Sequence, residues 1–215
     1  MTPASDVIRS PGRPQQSIQV RDDLIHHARL LFIAHPYEKV SLRMVANNAG
    51  VNMGMIRYYF NDKAGLFETM VRETLNPMQQ AVQKTLGQVN SSENLLIMLM
   101  TNFYQMMSQH KNFPRFISRT LQLPKDVPQR QVVESTLQEL LPIMREKVYC
   151  ELNTKGVLQE GVSAQQGYFT WLNLMIFPFV APPEILELHG FNIDDDFLTH
   201  LLEHNIRLLK QGIIT

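Results

Sequence analysis

The chain has 215 residues, 44% of them apolar, and its 20 basic and 20 acidic side chains give a formal net charge of zero. This composition excludes a disordered chain, because there is enough apolar material for one or two hydrophobic cores. The lone Cys150 cannot form an internal disulfide, which favours a reducing compartment. We expect Cys150 to be a small buried residue.

The first twenty residues lack the apolar segment of a secretory signal. The most apolar later run, from Trp171 to Pro183, is too short to span a bilayer and contains Pro178 and Pro182. We therefore expect a soluble cytoplasmic protein without a membrane role.

The charge is unevenly distributed along the chain. Residues 1–65 hold eight Lys/Arg and five Asp/Glu, so this part carries +3 and the remaining 150 residues carry −3. A basic N-terminal part on an acidic body is typical of a protein whose N-terminus meets a polyanion.

In chain order, residues 1–18 are polar and rich in proline, and they predict a flexible arm. From Arg21 the apolar residues recur at helical spacing and predict a first helix that Pro36 ends. Ser41 is placed to cap a second helix, and Gly50 follows that helix where a left-handed turn needs glycine.

A third, short helix is predicted from about Asn52 to Phe60, and Asp62 caps a long fourth helix. Beyond it, five segments have helical periodicity or good helix formers: 92–110, 112–122, 128–155, 163–180 and 195–211. Prolines mark the joints between them, and Pro142 predicts a kink inside the third segment.

No stretch alternates as a strand would, so the sequence predicts an all-α fold with about nine helices. We expect a flexible arm over 1–18, a three-helix helix-turn-helix domain over 19–65, and a helical bundle for ligand binding and dimerisation over 66–215.

The stretch from Leu42 to Tyr59, LRMVANNAGVNMGMIRYY, has the pattern of a helix-turn-helix. Such a motif crosses the DNA backbone with its first helix and lays the second in the major groove. Ala46 supplies the small residue where the helices cross, and Gly50 supplies the tight turn. Five apolar residues stand at the offsets that lock the pair: Val45, Ala49, Val51, Ile56 and Tyr59. A plain helical hairpin is the alternative.

The residues from Ala28 to Phe67 resemble the TetR/AcrR family of transcriptional regulators. The family pattern runs from a Gly-Tyr/Phe-x-x-Thr/Ser joint through the helix-turn-helix to Tyr-x-x-Phe-x-x-Lys-x-x-Leu. Its elements appear here in Tyr37 to Ser41, Tyr59-Phe60, Lys63 and Leu66. The resemblance covers residues 21–75 and implies a DNA-binding regulator, acting as a repressor that a small hydrophobic effector releases.

The candidate DNA contacts lie mostly on the helix-turn-helix. Arg57 is suited to a guanine or a phosphate, Met53 to a thymine methyl group, and the tyrosine hydroxyls to phosphates. Arg13, between Gly12 and Pro14, is suited to a narrow A·T-rich minor groove, with an ordinary disordered terminus as the alternative. The full set of predicted DNA-binding residues is Arg13, Ser41, Arg43, Asn52, Met53, Gly54, Met55, Arg57, Tyr58, Tyr59 and Lys63.

Three positions depart from the family pattern. The family often has lysine where Met53 stands and an aromatic residue where Arg57 stands, so a base-contact map cannot be carried over directly. Pro36 replaces the usual glycine after the first helix, so that joint needs different dihedral angles.

The resemblance implies that segments 163–180 and 195–211 form a homodimer interface, which suits a regulator that reads a palindromic operator. Twelve methionines are many for this length, and eight of them follow residue 69. Flexible thioethers pack around varied apolar ligands, although ordinary core packing is the alternative. The predicted ligand-binding residues are Phe103, Met106, Met107, His110, Phe116, Trp171, Met175 and Phe177.

Two other classes of protein are weighed against this interpretation. An enzyme is disfavoured because no paired cysteines and no glycine-rich phosphate loop are present. His200 and His204 lie one helical turn apart with Asp196 on the same face, but such pairs are common on exposed helices, so we predict no metal and no cofactor. A DNA-bound scaffold that recruits another protein without a ligand remains the alternative function.

Overall fold

The computed structural model describes residues 13–88, 92–154 and 156–214. These residues contain ten α-helices and a short 3-10 helix, with one isolated β-bridge between Leu158 and Ile214 and no strand. The predicted all-α class is confirmed, with one α-helix more than the expected nine. The chain forms two compact units that divide between Met70 and Val71, here called the N-terminal and C-terminal units.

The N-terminal unit begins with α1, Arg13–Ala34, followed by the 3-10 helix Tyr37–Lys39. The helix-turn-helix consists of α2, Leu42–Asn48, and α3, Gly54–Phe60, and it is followed by the first residues of α4, Lys63–Gln88. The core of this unit is made of fully buried apolar side chains from all four helices: Leu24, Ile25, Ala28, Phe32, Val45, Ala46, Ile56, Phe60, Leu66 and Phe67.

The flexible arm predicted over residues 1–18 overlaps α1. Residues 1–12 lie outside the described part of the chain, and residues 13–18 form the first turns of α1 instead of an arm. Pro14 does not prevent this, because the backbone N–H that proline lacks has no partner in the first turn of any helix. Arg13, the predicted minor-groove residue, is therefore the first residue of α1.

In the C-terminal unit, the five predicted segments appear as helices within three residues of their expected ends. They are α5, Ser92–Gln109; α6, Phe113–Leu121; α7, Pro128–Leu152; α8, Ala164–Val180; and α10, Asp195–Gly212. The sequence does not predict α9, Pro183–Leu188, because six residues give too short a periodic pattern.

Prolines have two structural roles in this unit. Pro114, Pro128 and Pro183 stand in the first turns of α6, α7 and α9, where a missing N–H costs no hydrogen bond. Pro142 and Pro178 instead lie inside α7 and α8, and each leaves the carbonyl four residues earlier without its helical donor.

Cys150 is exposed, so the expectation that it is buried is wrong, because it lies on the outward face of α7 beside the buried Val148. None of the described helices has the length and apolar character needed to cross a membrane.

Candidate nucleic-acid interface and apolar cavity

The turn between α2 and α3 is built as the sequence predicts. The Ser41 hydroxyl caps α2 by accepting a hydrogen bond from the Met44 N–H at 3.2 Å. Gly50 has φ +66°, a left-handed conformation that disfavours residues with a Cβ. Val45 and Ala46 of α2 and Ile56 of α3 are almost completely buried, so the two helices are fixed to the core of the N-terminal unit.

The outer face of α3 and the residues just before it are exposed. Tyr58 is 76% exposed and Met53 is 42% exposed, and Asn52, Gly54 and Arg57 are also exposed. Tyr59 and Met55 are half-buried, and the Tyr58 and Tyr59 rings lie 4.9 Å apart in an edge-on arrangement.

Asn52 fixes the beginning of α3. Its side-chain oxygen accepts a hydrogen bond from the Gly54 N–H at 2.8 Å, so α3 starts at Gly54 and not at the predicted Asn52. A Cβ on residue 54 would lie 3.2 Å from this oxygen, which makes glycine the best fit there. The amide of Asn52 thus supports the loop and keeps its N–H groups for another partner.

The stretch that carries this surface holds cationic side chains and no acidic ones. Residues 39–61 include Lys39, Arg43 and Arg57 and contain no Asp or Glu. All three cations are exposed, and so is Ser41 at the start of α2. A surface with this charge attracts a polyanion such as DNA.

Lys63 has a structural contact that its sequence position did not reveal. Its ammonium group donates a hydrogen bond to the Tyr37 backbone carbonyl and lies 4.0 Å from the centre of the Tyr37 ring. Burial lowers the pKa of Lys63, and the neighbouring Glu38 carboxylate opposes that shift. Lys63 therefore ties the 3-10 helix to the start of α4, and its remaining N–H groups are available for a phosphate.

The C-terminal unit contains a partly open apolar cavity of about 370 Å³. Five helices each present one face to it, with contacts spaced three, four or seven residues apart, as one side of a helix requires. The lining residues are Leu75, Met78, Ala81 and Val82 of α4, Leu99, Asn102, Phe103, Met106 and Met107 of α5, Phe113, Pro114, Ile117, Ser118 and Leu121 of α6, Leu137, Leu141 and Met144 of α7, and Met175, Ile176 and Val180 of α8.

Half of the predicted ligand-binding residues lie in this lining: Phe103, Met106, Met107 and Met175. The other four do not. Trp171 is fully buried, and its indole N–H donates to the Leu96 carbonyl at 3.1 Å. Phe177 is 57% exposed on the outside of α8, Phe116 is buried away from the cavity, and His110 lies in the turn after α5.

The lining residues that the prediction missed lie on all five helices, and more than half of them are on α4 and α6. Their apolar spacing is that of any core-facing helix, so no signal in the sequence separates a cavity wall from a filled core. Met144 is one of the eight methionines that follow residue 69, and this enrichment in methionine was the clearest indication of a cavity in the sequence.

A buried polar cluster lies between α5, α8 and α10. Tyr104 donates a hydrogen bond to the Leu174 carbonyl at 2.9 Å, and the Asn205 amide donates to the same carbonyl at 3.0 Å and to the Tyr104 hydroxyl oxygen at 2.9 Å. Pro178 removes the helical donor for Leu174, so the two side chains replace it. Burial raises the pKa of Tyr104 to about 12, although the Asn205 hydrogen bond opposes this.

The outside of α8 and α10 carries exposed apolar side chains. Phe169 and Phe177 of α8 are 68% and 57% exposed, and Leu208 of α10 is 43% exposed. On α10 the His200 imidazole lies 3.5 Å from the Asp196 carboxylate, and both are exposed. Across the part of the chain that the structure describes, no three His, Cys, Asp or Glu side chains are grouped to hold a metal ion.

Residues 24–70 match the family model described as bacterial regulatory proteins, tetR family. The chain is 25% identical over 185 residues to a probable HTH-type transcriptional regulator, YttP, of Bacillus subtilis, covering 80% of this chain and 82% of that protein. It is also 25% identical over 155 residues to the HTH-type transcriptional repressor KstR2 of Mycolicibacterium smegmatis, covering 72% and 70% of the two chains.

Solved structures share the fold at low sequence identity. The transcriptional regulator FadR of Bacillus subtilis, in complex with stearoyl-CoA, superposes with a TM-score of 0.65 at 16% identity, over 89% of this chain and 98% of the other. The whole helical arrangement, and not just the helix-turn-helix, therefore recurs in a protein that accommodates a small molecule.

Proposed function

We propose that this chain is a TetR-family transcriptional regulator, a dimeric repressor that releases a palindromic operator when a small hydrophobic molecule fills its cavity; its match to the family model and to two curated regulators supports this. It is a DNA-binding regulator and not an enzyme, as its curated relatives are transcription regulators. The observation that carries the proposal is the apolar cavity of about 370 Å³ in the C-terminal unit.

The N-terminal unit supplies the DNA contacts in this proposal. Arg57 on the exposed face of α3 bonds a guanine edge or a phosphate, and Met53 contacts a thymine methyl group. Arg43, Tyr59 and Lys63 contact the phosphate backbone and set the orientation of α3 in the major groove. The exposure of Arg57 and Met53, beside a fully buried Ile56, supports this division of roles.

A second copy of the chain completes the binding site, because one helix-turn-helix reads only a few base pairs. We place the dimer interface on α8 and α10, where Phe169, Phe177 and Leu208 are exposed. Burying such side chains against a partner stabilises a dimer through the hydrophobic effect. In this dimer the two recognition helices stand one turn of DNA apart, roughly 34–36 Å.

The effector acts by shifting the population of two arrangements of the dimer. Leu75, Met78 and Val82 line the cavity from α4, and the same helix carries Leu66 and Phe67 of the N-terminal core. A ligand that binds better to one position of α4 therefore favours one spacing of the recognition helices. A cavity of this size lies within the range of small-molecule sites, about 300–1,000 Å³.

Selection of bound sequences from a random DNA pool, at fixed salt, tests the regulator. We expect an enriched palindrome, and no enrichment over random DNA would contradict an operator-reading dimer. Compounds are then screened for release of that operator. A ligand that fills the cavity while operator affinity stays unchanged would favour the alternative, a DNA-bound scaffold that needs no effector.

A further inference from the structure

We propose that the cavity accepts an uncharged, largely apolar molecule with a hydrogen-bonding group, and that Asn102 and Ser118 are the residues that recognise this group. The inference rests on the proposed function and deepens it, because it names the chemical class of the effector. The proposed class includes neutral molecules such as alcohols, ketones and esters, and it excludes ionised ones such as carboxylates.

The wall of the cavity carries no charge. None of the twenty lining side chains is ionisable, and Asn102 and Ser118 are the two polar ones among them. An ionised group that leaves water for such a site loses its hydration and finds no opposite charge, which costs several kcal/mol. A neutral ligand avoids that cost and gains from burial of its apolar surface.

A smaller, polar pocket adjoins the cavity. This pocket of about 130 Å³ shares Leu75 with the cavity and includes Arg72, Glu73 and Glu139. Arg72 donates two hydrogen bonds to the Glu139 carboxylate, at 3.0 and 3.1 Å. The Arg72 guanidinium is therefore already bonded to a carboxylate, and an anionic head group extending from the cavity toward this pocket has to compete with Glu139 for it.

The two polar side chains of the lining, Asn102 on α5 and Ser118 on α6, offer hydrogen-bonding groups to a ligand. The Asn102 amide donates to the Thr85 hydroxyl at 3.1 Å, and Thr85 is 2% exposed. This bond holds the amide in place and leaves its second N–H and its carbonyl oxygen for a ligand. Ser118 offers a hydroxyl from α6. An alcohol, ketone or ester can bond such groups, whereas a hydrocarbon leaves them unpaired.

Isothermal titration calorimetry of the full-length protein with 1-decanol and with decanoate tests the inference, because the two probes share a chain length and differ in charge. At pH 7.5 decanoate is almost fully ionised, since a carboxylic acid of this kind has a pKa of about 4.3. We expect 1-decanol to bind at least about tenfold more tightly, and decanoate binding to strengthen as the pH falls while 1-decanol binding stays constant.

Variants identify the recognising residues. Asn102→Leu and Ser118→Ala should each weaken 1-decanol binding by about two- to tenfold, the range of a single hydrogen bond. Gln105→Leu, on the exposed side of the same helix, is the matched control and should change nothing. Ile117→Trp, which fills the cavity, should remove the binding of both probes and so locate the site.

The outcomes separate the inference from the proposed function. Decanoate binding as tightly as 1-decanol at pH 7.5, or both polar variants leaving 1-decanol affinity unchanged, would overturn the inference and leave the effector cavity in place. If neither probe bound, the effector role of the cavity would fall together with the inference. The selected operator would still test DNA recognition by itself.

Discussion

The two units of this chain place their candidate functional groups in opposite ways. In the N-terminal unit the apolar core is buried and the candidate DNA contacts stand on the surface, with Tyr58 76% exposed beside the fully buried Ile56. In the C-terminal unit the candidate site is internal, a cavity of about 370 Å³ with walls from five helices. A surface site depends on a few neighbouring residues, whereas a cavity depends on everything that keeps five helices apart.

The largest expected effect comes from breaking the core under the surface site. Ile56→Ala should destabilise the N-terminal unit by about 2–5 kcal/mol, because it removes a fully buried side chain and leaves a cavity. Operator binding should be lost while 1-decanol binding in the C-terminal unit is kept. Urea unfolding and calorimetry measure these effects. Tyr58→Ala on the exposed face is the control, with stability within about 0.5 kcal/mol of wild type. Parallel loss of both activities would show that the units do not act separately.

The buried tyrosine of the C-terminal unit predicts an alkaline instability. Burial raises the pKa of Tyr104 to about 12 from the ordinary value of 10, so between these pH values the unfolded chain has lost a proton that the folded chain keeps. The free energy of unfolding should therefore fall as the pH rises from 10 to 12, by about 2–3 kcal/mol. Urea unfolding of wild type and Tyr104→Phe measures this contribution, and identical pH dependence in both would contradict it.

The same cluster should matter at neutral pH. Tyr104→Phe combined with Asn205→Leu leaves the Leu174 carbonyl without a donor and should cost about 1–3 kcal/mol. Adding Pro178→Ala returns a backbone N–H four residues after Leu174 and should recover part of that loss. Urea unfolding compares these variants with Pro178→Ala alone. The role assigned to the two side chains fails if the proline replacement recovers nothing.

At the surface site, the expected change lies in binding and not in folding. Arg57→Ala should weaken operator binding by about 1–3 kcal/mol and relax sequence preference, while random DNA is affected less. Lys63→Ala should weaken binding to operator and to random DNA about equally. Arg43→Ala should do the same while leaving the bond between Lys63 and Tyr37 in place. Fluorescence anisotropy at several salt concentrations distinguishes the two patterns. Equal losses on both DNAs for Arg57→Ala would contradict base recognition.

The smallest expected effect concerns the turn of the helix-turn-helix. A Cβ at position 50 would meet no heavy atom within 4 Å, so the cost of Gly50→Ala is backbone strain alone. With φ at +66° that strain should be about 1–2 kcal/mol. Gly50→Asn should cost less, because asparagine tolerates this conformation. Thermal melting compares the two variants, and equal losses would mean that the turn does not keep its left-handed conformation.

Local chemistry explains which predictions from the sequence agree with the structure. The Ser41 cap and the Gly50 turn are decided by neighbouring atoms, so residue type alone was enough. The helices of the C-terminal unit were found because apolar spacing and proline joints are also local signals. Residues 13–18 were missed because polar residues without apolar spacing form a helix here, and periodicity gives no warning of that.

Long-range contacts explain the rest. Lys63 stands where the family pattern expects it, but its bond to the Tyr37 carbonyl joins residues 26 positions apart. The link from Tyr104 to Asn205 spans 101 positions. Neither side chain carries a mark of its partner in the sequence, because many partners of suitable chemistry are available and only packing selects one.

The sequence by itself determined most of the helices and the turn of the helix-turn-helix, since each follows from residue types within one or two helical turns. Only the tertiary structure decided that Phe103 and Met175 face a cavity while Trp171 and Phe116 do not. The physical reason is that an apolar side chain has the same spacing and hydrophobicity whether its outer atoms touch another side chain or an open space. That difference is set by how closely five helices approach one another.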